Sequence, residues 1–393
     1  MSQHDDISRR DFLKLAGAVA GGLILEGCLP HLPAGSPLLT PPVYTPPVYT
    51  PPVSPSPVYT PSAYASPVAM PPAQVGIAQA SSYDPALVLR QVQNLFDSLG
   101  GLKDVVRPGD KVAIKVNLTG GVKGNIPPPG TTAPESYVTH PVVVRAMGEL
   151  LRDSGASKIY VVESVWEWAS YESWGYVDMA KNLGATLLDL NSPSPYTDYA
   201  SLPVGSGWFM YENFKVNHVL EEVDTLVSVA KMKCHYLLGI TQSMKNLVGL
   251  APYKFYERNA GDGYRTGFHG ADTETKMRLP RVVLDLNRAR PVKLSLIDGI
   301  KTVEGSEGPW NNDLHTMSPG LLIGGKNPVA TDTIAVAAMG FDPSAEYPNP
   351  PFLRAENHLN IAYQLGLGSN RLSDIEILGT KLDDVKMKFQ PAW

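Results

Sequence analysis

The residues with the most chemistry to offer run Lys231-Met232-Lys233-Cys234-His235, directly behind the apolar segment Leu226-Val227-Ser228-Val229-Ala230. If that segment is a strand, its period of two sets Lys231, Lys233 and His235 on one face and turns Cys234 toward the core. Two ammonium groups and an imidazole at a strand's carboxyl end make a cationic patch suited to a carboxylate or phosphate. Further along, Thr241, Lys245 and Asn246 fall in a stretch, Leu238 to Leu247, whose spacing predicts a helix with Thr241 and Lys245 one turn apart. Converging lysines depress one another's pKa values, so Lys233, His235 and Lys245 are the expected catalytic groups, a lysine or the histidine exchanging the proton.

Other segments offer ligands for the same anion. Lys115 and Asn117 end the apolar run Lys111 to Val116, where a charge is costly unless something neutralises it. Asp298 follows Leu294 to Ile297, and Glu304 stands in the next loop ahead of Gly305, Gly308 and Pro309. Lys115, Asn117, Lys231, Asn246, Asp298 and Glu304 are the expected substrate-binding set. A divalent metal held by His235, His269 and Asp298 is a further expectation, although no HExxH spacing supports it. His269 belongs to the Gly/Asp-rich stretch Gly261 to Asp272, which has the composition of a lid. His140, just before Pro141, reads as a helix start, and Asp332 as a buried structural carboxylate.

The elements that must carry these groups alternate. Helical spacing marks Asp84–Leu99, Pro141–Ser154, Tyr176–Leu183, Pro280–Arg288 and Pro328–Met339; β runs fall at Lys111–Val116, Lys158–Glu163, Ala185–Leu190, Thr225–Ala230, Val292–Ile297 and Leu321–Ile323. The expected fold class is α/β, a mostly parallel sheet with helices on both faces and room for two sub-lobes, with ligands beyond the carboxyl ends of the strands. No glycine-rich fingerprint follows an early strand, so NAD, FAD and P-loop nucleotides are not expected.

Ahead of this region lie two segments of another kind. Ser8-Arg9-Arg10-Asp11-Phe12-Leu13-Lys14 has the form of a twin-arginine export motif; Arg9 and Arg10 precede an apolar run, Leu15 to Leu25, too short to span a bilayer. The expected partner is the twin-arginine export machinery and the expected location the periplasm or cell envelope. Leu25-Glu26-Gly27-Cys28 resembles a lipobox, which would make Cys28 a lipidated membrane anchor. Glu26 departs from the pattern, and cleavage further on, after Ala34-Gly35, is the alternative. From Thr40 the unit Thr-Pro-Pro-Val-Tyr repeats, and 15 of the 36 prolines fall between Pro30 and Pro72. Such a tract excludes helix and central strand and predicts an extended polyproline II tether. The expected organisation is a signal peptide over 1–28, a tether over 29–82 and an α/β domain over 83–393.

Composition sets limits. With 33 Lys plus Arg against 38 Asp plus Glu, a net charge of -5 and 18% charged residues, binding to nucleic acid through bulk electrostatics is not expected. Two cysteines cannot supply the four thiolates of a protein-held iron–sulfur cluster.

Taken together, several segments resemble the bacterial and archaeal family known as domain of unknown function 362. They are Gly109 to Asn117, Thr139-His140-Pro141, Lys231 to His235, Lys245 to Gly249, Pro280 to Asn287, Asp298-Gly299-Ile300 with Glu304-Gly305-x-x-Gly308-Pro309, and Gly324 to Gly340. The resemblance spans nearly all of 105–380. It implies no reaction and no catalytic residue. Some relatives carry a ferredoxin-like module, which this chain lacks the cysteines to hold. Three readings follow: an envelope enzyme acting on a small anion, a binding lipoprotein using the same pocket without turnover, or a structural envelope domain.

Overall fold

The computed structural model describes residues 72–271 and 274–393. Arg9, Arg10, Cys28, the signal segment and most of the tether lie outside them. The strands are β1 (Ala73–Gln79), β2 (Lys111–Val116), β3 (Lys158–Glu163), β4 (Thr186–Asp189), β5 (Tyr199–Pro203), β6 (Asn213–Asn217), β7 (Thr225–His235), β8 (Gly239–Ile240), β9 (Leu294–Glu304), β10 (His315–Met317), β11 (Leu321–Gly325) and β12 (Ile375–Gly379). All but β5 and β6, which pair as a separate hairpin, join one sheet in the order β12-β1-β11-β9-β7-β2-β3-β4. β8 pairs antiparallel with β7, and β10 with β9. The run β9-β7-β2-β3-β4 is parallel throughout; β11 is antiparallel to both its neighbours.

Helices cover both faces. They are α1 (Pro85–Ser98), α2 (Ala133–Ser136), α3 (Pro141–Asp153), α4 (Ala169–Ser173), α5 (Tyr176–Leu183), α6 (Val219–Glu222), α7 (Thr266–His269), α8 (Thr275–Ala289), α9 (Pro328–Ala338) and α10 (His358–Gln364). Val88, Val92 and Phe96 of α1 and Val143, Met147 and Leu151 of α3 pack on Val112, Ile114, Val227 and Leu296. On the opposite face, Leu279, Val282, Val283 and Leu286 of α8 pack with Ala113, Val162 and Leu226. Three helix starts share one device. Asp84, His140 and Asn327 each accept a backbone amide of the first turn, from Leu87 at 2.8 Å, Val142 at 3.2 Å and Ala330 at 2.9 Å, and each is followed by proline. Proline has no amide to leave unsatisfied at that position.

The described residues belong to one compact unit. Two sequence expectations need correcting. The tether was expected to reach residue 82, but Ala73–Gln79 is a strand between β11 and β12, because Val75 and Ile77 bury fully or nearly so in the sheet. Leu238 to Leu247 is not a helix. It begins with β8, turns, and enters a 3₁₀ segment, Lys245–Leu250, since the chain there hairpins back on β7.

The strand order fixes where a ligand can sit. From β2 the chain moves outward to β3 and β4, then returns to the other side of β2 as β7 and goes on to β9. The crossover direction therefore reverses between β2 and β7, and in open α/β sheets the crevice at the carboxyl ends of such a pair is the usual binding place.

Candidate functional site

β7 is buried along its whole length, as suits a central parallel strand, and it continues to His235. Its alternation places Met232 and Cys234 in the core cluster formed with α9 and leaves Lys231, Lys233 and His235 on the other face. The three cations have different surroundings. Lys231 Nζ lies 3.0 Å from Asp298 Oδ2, 2.9 Å from Tyr83 Oη and 2.8 Å from the Pro134 carbonyl. Asp298 also accepts the His140 amide at 3.0 Å and the Tyr83 hydroxyl at 2.9 Å. This network is closed, both side chains being fully buried. Lys231 and Asp298, expected as ligands for substrate, are spent on joining β7, β9, α3 and the start of α1.

Lys115 is similar. It is fully buried and pairs with Glu163 Oε2 at 2.7 Å across β2 and β3, and it donates to Asn246 Oδ1 at 3.1 Å and to the Val116 carbonyl. Burial lowers its pKa to about 8, with Glu163 opposing the shift. Asn246 returns two hydrogen bonds, to the Lys115 carbonyl and Ser228 Oγ, both at 3.0 Å. Glu304 is likewise held, by the Gln390 amide at 2.7 Å. These three expected ligands are committed to the framework.

What faces the crevice is a cleft of about 520 Å³ lined by Asn117, Lys233, His235, Thr241, Lys245 and His269, among others. Lys233 is fully buried and has two carbonyl acceptors, Tyr137 at 2.6 Å and Glu307 at 2.7 Å, but no carboxylate within ion-pair distance among the described residues. Burial, then the neighbouring Lys245 charge, drives its pKa well below the usual lysine value. Lys245 differs from all of these. Its ammonium makes no hydrogen bond or ion pair among the described residues, it is only half-buried, and its pKa falls to about 8, mainly through desolvation.

Lys245 is set in place from behind. Asp332 on α9 accepts the Ser243 amide at 2.7 Å and the Met244 amide at 2.9 Å, while Asn287 on α8 donates to the Met244 carbonyl at 3.0 Å. Gly249, in the same segment, has no room for a side chain: a Cβ there would fall 2.0 Å from Glu163 Oε1 and 2.5 Å from Lys115 Nζ.

The two histidines present opposite faces of the same chemistry. His235 Nδ1 accepts the amides of Leu237 at 3.1 Å and Leu238 at 3.0 Å. The proton of the neutral ring is thereby assigned to Nε2, a donor. Burial, then Lys245, His269 and Lys233, holds its pKa well below the ordinary imidazole value, and two amides at Nδ1 would oppose a second proton. His269 Nδ1 lies 2.8 Å from the Arg265 carbonyl, so its proton sits there and Nε2 keeps a lone pair. Burial lowers its pKa to about 4. The expected metal trio does not assemble: Asp298 is locked in the Lys231 network and His235 carries a proton where a metal would bind. Among the described residues no group of three His, Cys, Asp or Glu is arranged to hold a metal ion.

Sequence reasoning missed several lining residues. Glu307 accepts the Tyr236 amide at 2.8 Å and the Trp310 indole at 3.2 Å. It stands inside the Glu304-to-Pro309 motif, two residues short of the proline. Arg265, buried and stacked 4.6 Å from the Tyr253 ring, comes from the same stretch as His269. Trp166, Tyr264 and Trp310 complete the wall.

Comparison with known proteins gives the following. The model of the family described as Domain of unknown function (DUF362) matches residues 112–337, and that of the twin-arginine translocation pathway signal sequence matches residues 6–25. The protein therefore carries an export signal for that route. A thylakoid-associated protein of Synechocystis sp. is 24% identical over 318 residues, covering 80% of this chain and 88% of that one. Among solved structures, the lactate racemase apoprotein from Thermoanaerobacterium thermosaccharolyticum aligns with a TM-score of 0.36 at 12% identity, over 63% of this chain and 54% of that chain. A Thermotoga maritima structural-genomics protein aligns at 0.34 and 11%, over 61% and 56%. This chain spans little more than half the length of either solved chain.

Proposed function

The chain belongs to the family described as Domain of unknown function (DUF362), and since that description assigns no reaction, we propose from the cleft itself that the protein binds a small carboxylate or phosphate in the cell envelope. The observation that carries the reading is the contrast among four lysines: buried Lys115 and Lys231 each have a carboxylate partner, buried Lys233 has two carbonyls, and half-buried Lys245 makes no hydrogen bond or ion pair among the described residues. Lys245 is partly desolvated and feels the charges of Glu307 and Glu163 without pairing directly to either, and a bound anion supplies a direct partner. Lys245 is then the counter-cation, and the His235 Nε2–H and the Asn117 amide donate to the ligand's oxygens.

Proton exchange with the ligand is supported by His269, whose Nε2 lone pair can accept a proton, while the neutral His235 ring only donates a hydrogen bond. In that case the protein is an enzyme of acid–base type; without turnover the same cleft serves a binding lipoprotein. The twin-arginine signal fits export to the periplasm or envelope, and a lipid on Cys28 with the proline-rich segment as spacer would keep the cleft near a membrane.

Calorimetric titration of the exported, folded protein with inorganic phosphate and with succinate tests the reading. Wild-type protein should bind at least one of them, and Lys245→Met should weaken that binding by about 10- to 100-fold, the worth of a charge-assisted hydrogen bond. Binding that is unchanged by the substitution, or absent in both proteins, would remove the proposal.

A further inference from the structure

The cleft's walls are aromatic where its floor is cationic. Trp166, Tyr264 and Trp310 all line it and remain 45%, 45% and 43% exposed. Single exposed aromatic residues are ordinary on a protein surface; three at the mouth of one cavity are not scattered. They are also held from behind. The Trp310 indole N–H donates to Glu307 Oε1 at 3.2 Å, and the ring meets Tyr137 edge-on with centroids 6.1 Å apart.

The backbone beneath Trp310 is glycine on two sides. A Cβ on Gly120 would lie 2.4 Å from the indole Cζ3, and one on Gly308 would lie 2.2 Å from Cη2. Any side chain at either position would have to push the indole out of its place at the cleft. Gly120 also has φ +86°, a conformation that independently favours glycine. On the other wall, Trp166 stacks on Tyr264 with centroids 6.1 Å apart and 24° between planes, and it tilts against Tyr253 at 5.7 Å. Tyr253 in turn carries the Arg265 guanidinium over its face. Both walls are therefore built from rings that already pack on neighbouring groups.

We infer that the anion taken by this cleft carries its carboxylate or phosphate on a flat, unsaturated ring system that stacks against these walls. The inference rests on the anion-binding reading and adds the ligand's shape to its charge. A flexible aliphatic acid would gain the ionic contact but only unspecific apolar burial, whereas a planar ring gains the offset or edge-on contacts that fixed aromatic surfaces favour. A cavity of about 520 Å³ has room for such a ring with its acidic group.

The matched probes are benzoate and cyclohexanecarboxylate, which share charge and ring size and differ in flatness. Titration of the full exported chain should give benzoate about fivefold or more tighter binding. Trp310→Leu, with Tyr264→Leu as a second variant in case the first misfolds, should bring the ratio to within about twofold of one. Quenching of the tryptophan emission by benzoate should weaken with it. Cyclohexanecarboxylate binding as tightly as benzoate, or more tightly, in a Lys245-dependent manner would overturn the planar ligand and leave the anion site intact. So would phosphate binding with neither ring acid bound. If no anion binds at all, the anion reading falls and this inference with it.

Discussion

Lys245 and its neighbours show how differently one residue type can be used within a few strands. Lys115 and Lys231 neutralise buried carboxylates. Removing one member of such a pair strands the other, at about 3–5 kcal/mol, so substitutions at Lys115 report on folding before they report on function. Lys245 is the informative position because replacing it breaks no hydrogen bond or ion pair among the described residues. Its pKa of about 8 gives a direct test. The ammonium is present at pH 6 to 7 and is lost as pH rises through about 8, so affinity for an anion should be level at neutral pH and then fall by about tenfold per pH unit. Lys245→Met should flatten that profile; an identical fall in the variant would assign the titration to another group. Period two sufficed to place Lys233 and His235 together, since β7 stays extended to its end although its pairing with β9 shifts register after Lys231. What was not legible was which cations were already satisfied. Glu163 was visible at the end of its own strand, but that it faces Lys115 depends on β2 and β3 being neighbours, and that Asp298 faces Lys231 depends on the register of β7 with β9. His235 was read as a proton carrier, and the Leu237 and Leu238 amides, supplied by the turn after it, fix it as a donor instead.

At the scale of elements, the segment from Gly239 to Leu250 was the hardest to read and the most consequential. Its apolar spacing fits a helix, yet β8 folds back on β7 and the 3₁₀ turn follows, because Asp332 and Asn287 offer the Ser243–Met244 peptide units better partners than a helix would. Asp332 was read as structural, and its part is to position Lys245. Its carboxyl is raised to about 7 by burial, with the two amides opposing. Between about pH 4 and 7 the folded chain thus keeps a proton that the unfolded chain releases. The stability this contributes is complete at acid pH and is lost as pH climbs through about 7. Asp332→Ala leaves two buried amides unsatisfied and should cost about 2–3 kcal/mol near pH 5, with the penalty shrinking toward pH 8. Urea unfolding at the two pH values measures this, and a penalty that grows with pH would contradict it. The strands and helices on either side were easier to locate, since their proline-and-cap starts and buried apolar runs are local signals.

For the molecule as a whole, the export signal and the α/β sheet were both legible, the first because its motif is linear and the second because strands and helices alternate. The strand β1 was hidden because it contains Gly76 and follows directly on a proline tract. Replacing Arg9 and Arg10 by lysine should leave precursor in the cytoplasm, scored by fractionation and immunoblotting. Export that continues undiminished would mean that another route carries the protein.

β1 also has a mechanical meaning. It is paired along its length with β11 on one side and β12 on the other, five residue pairs each. Traction applied along the strand at residue 72 would shear both ladders at once rather than unzip them one rung at a time, so the sheet grips its incoming end as a clamp grips a cable.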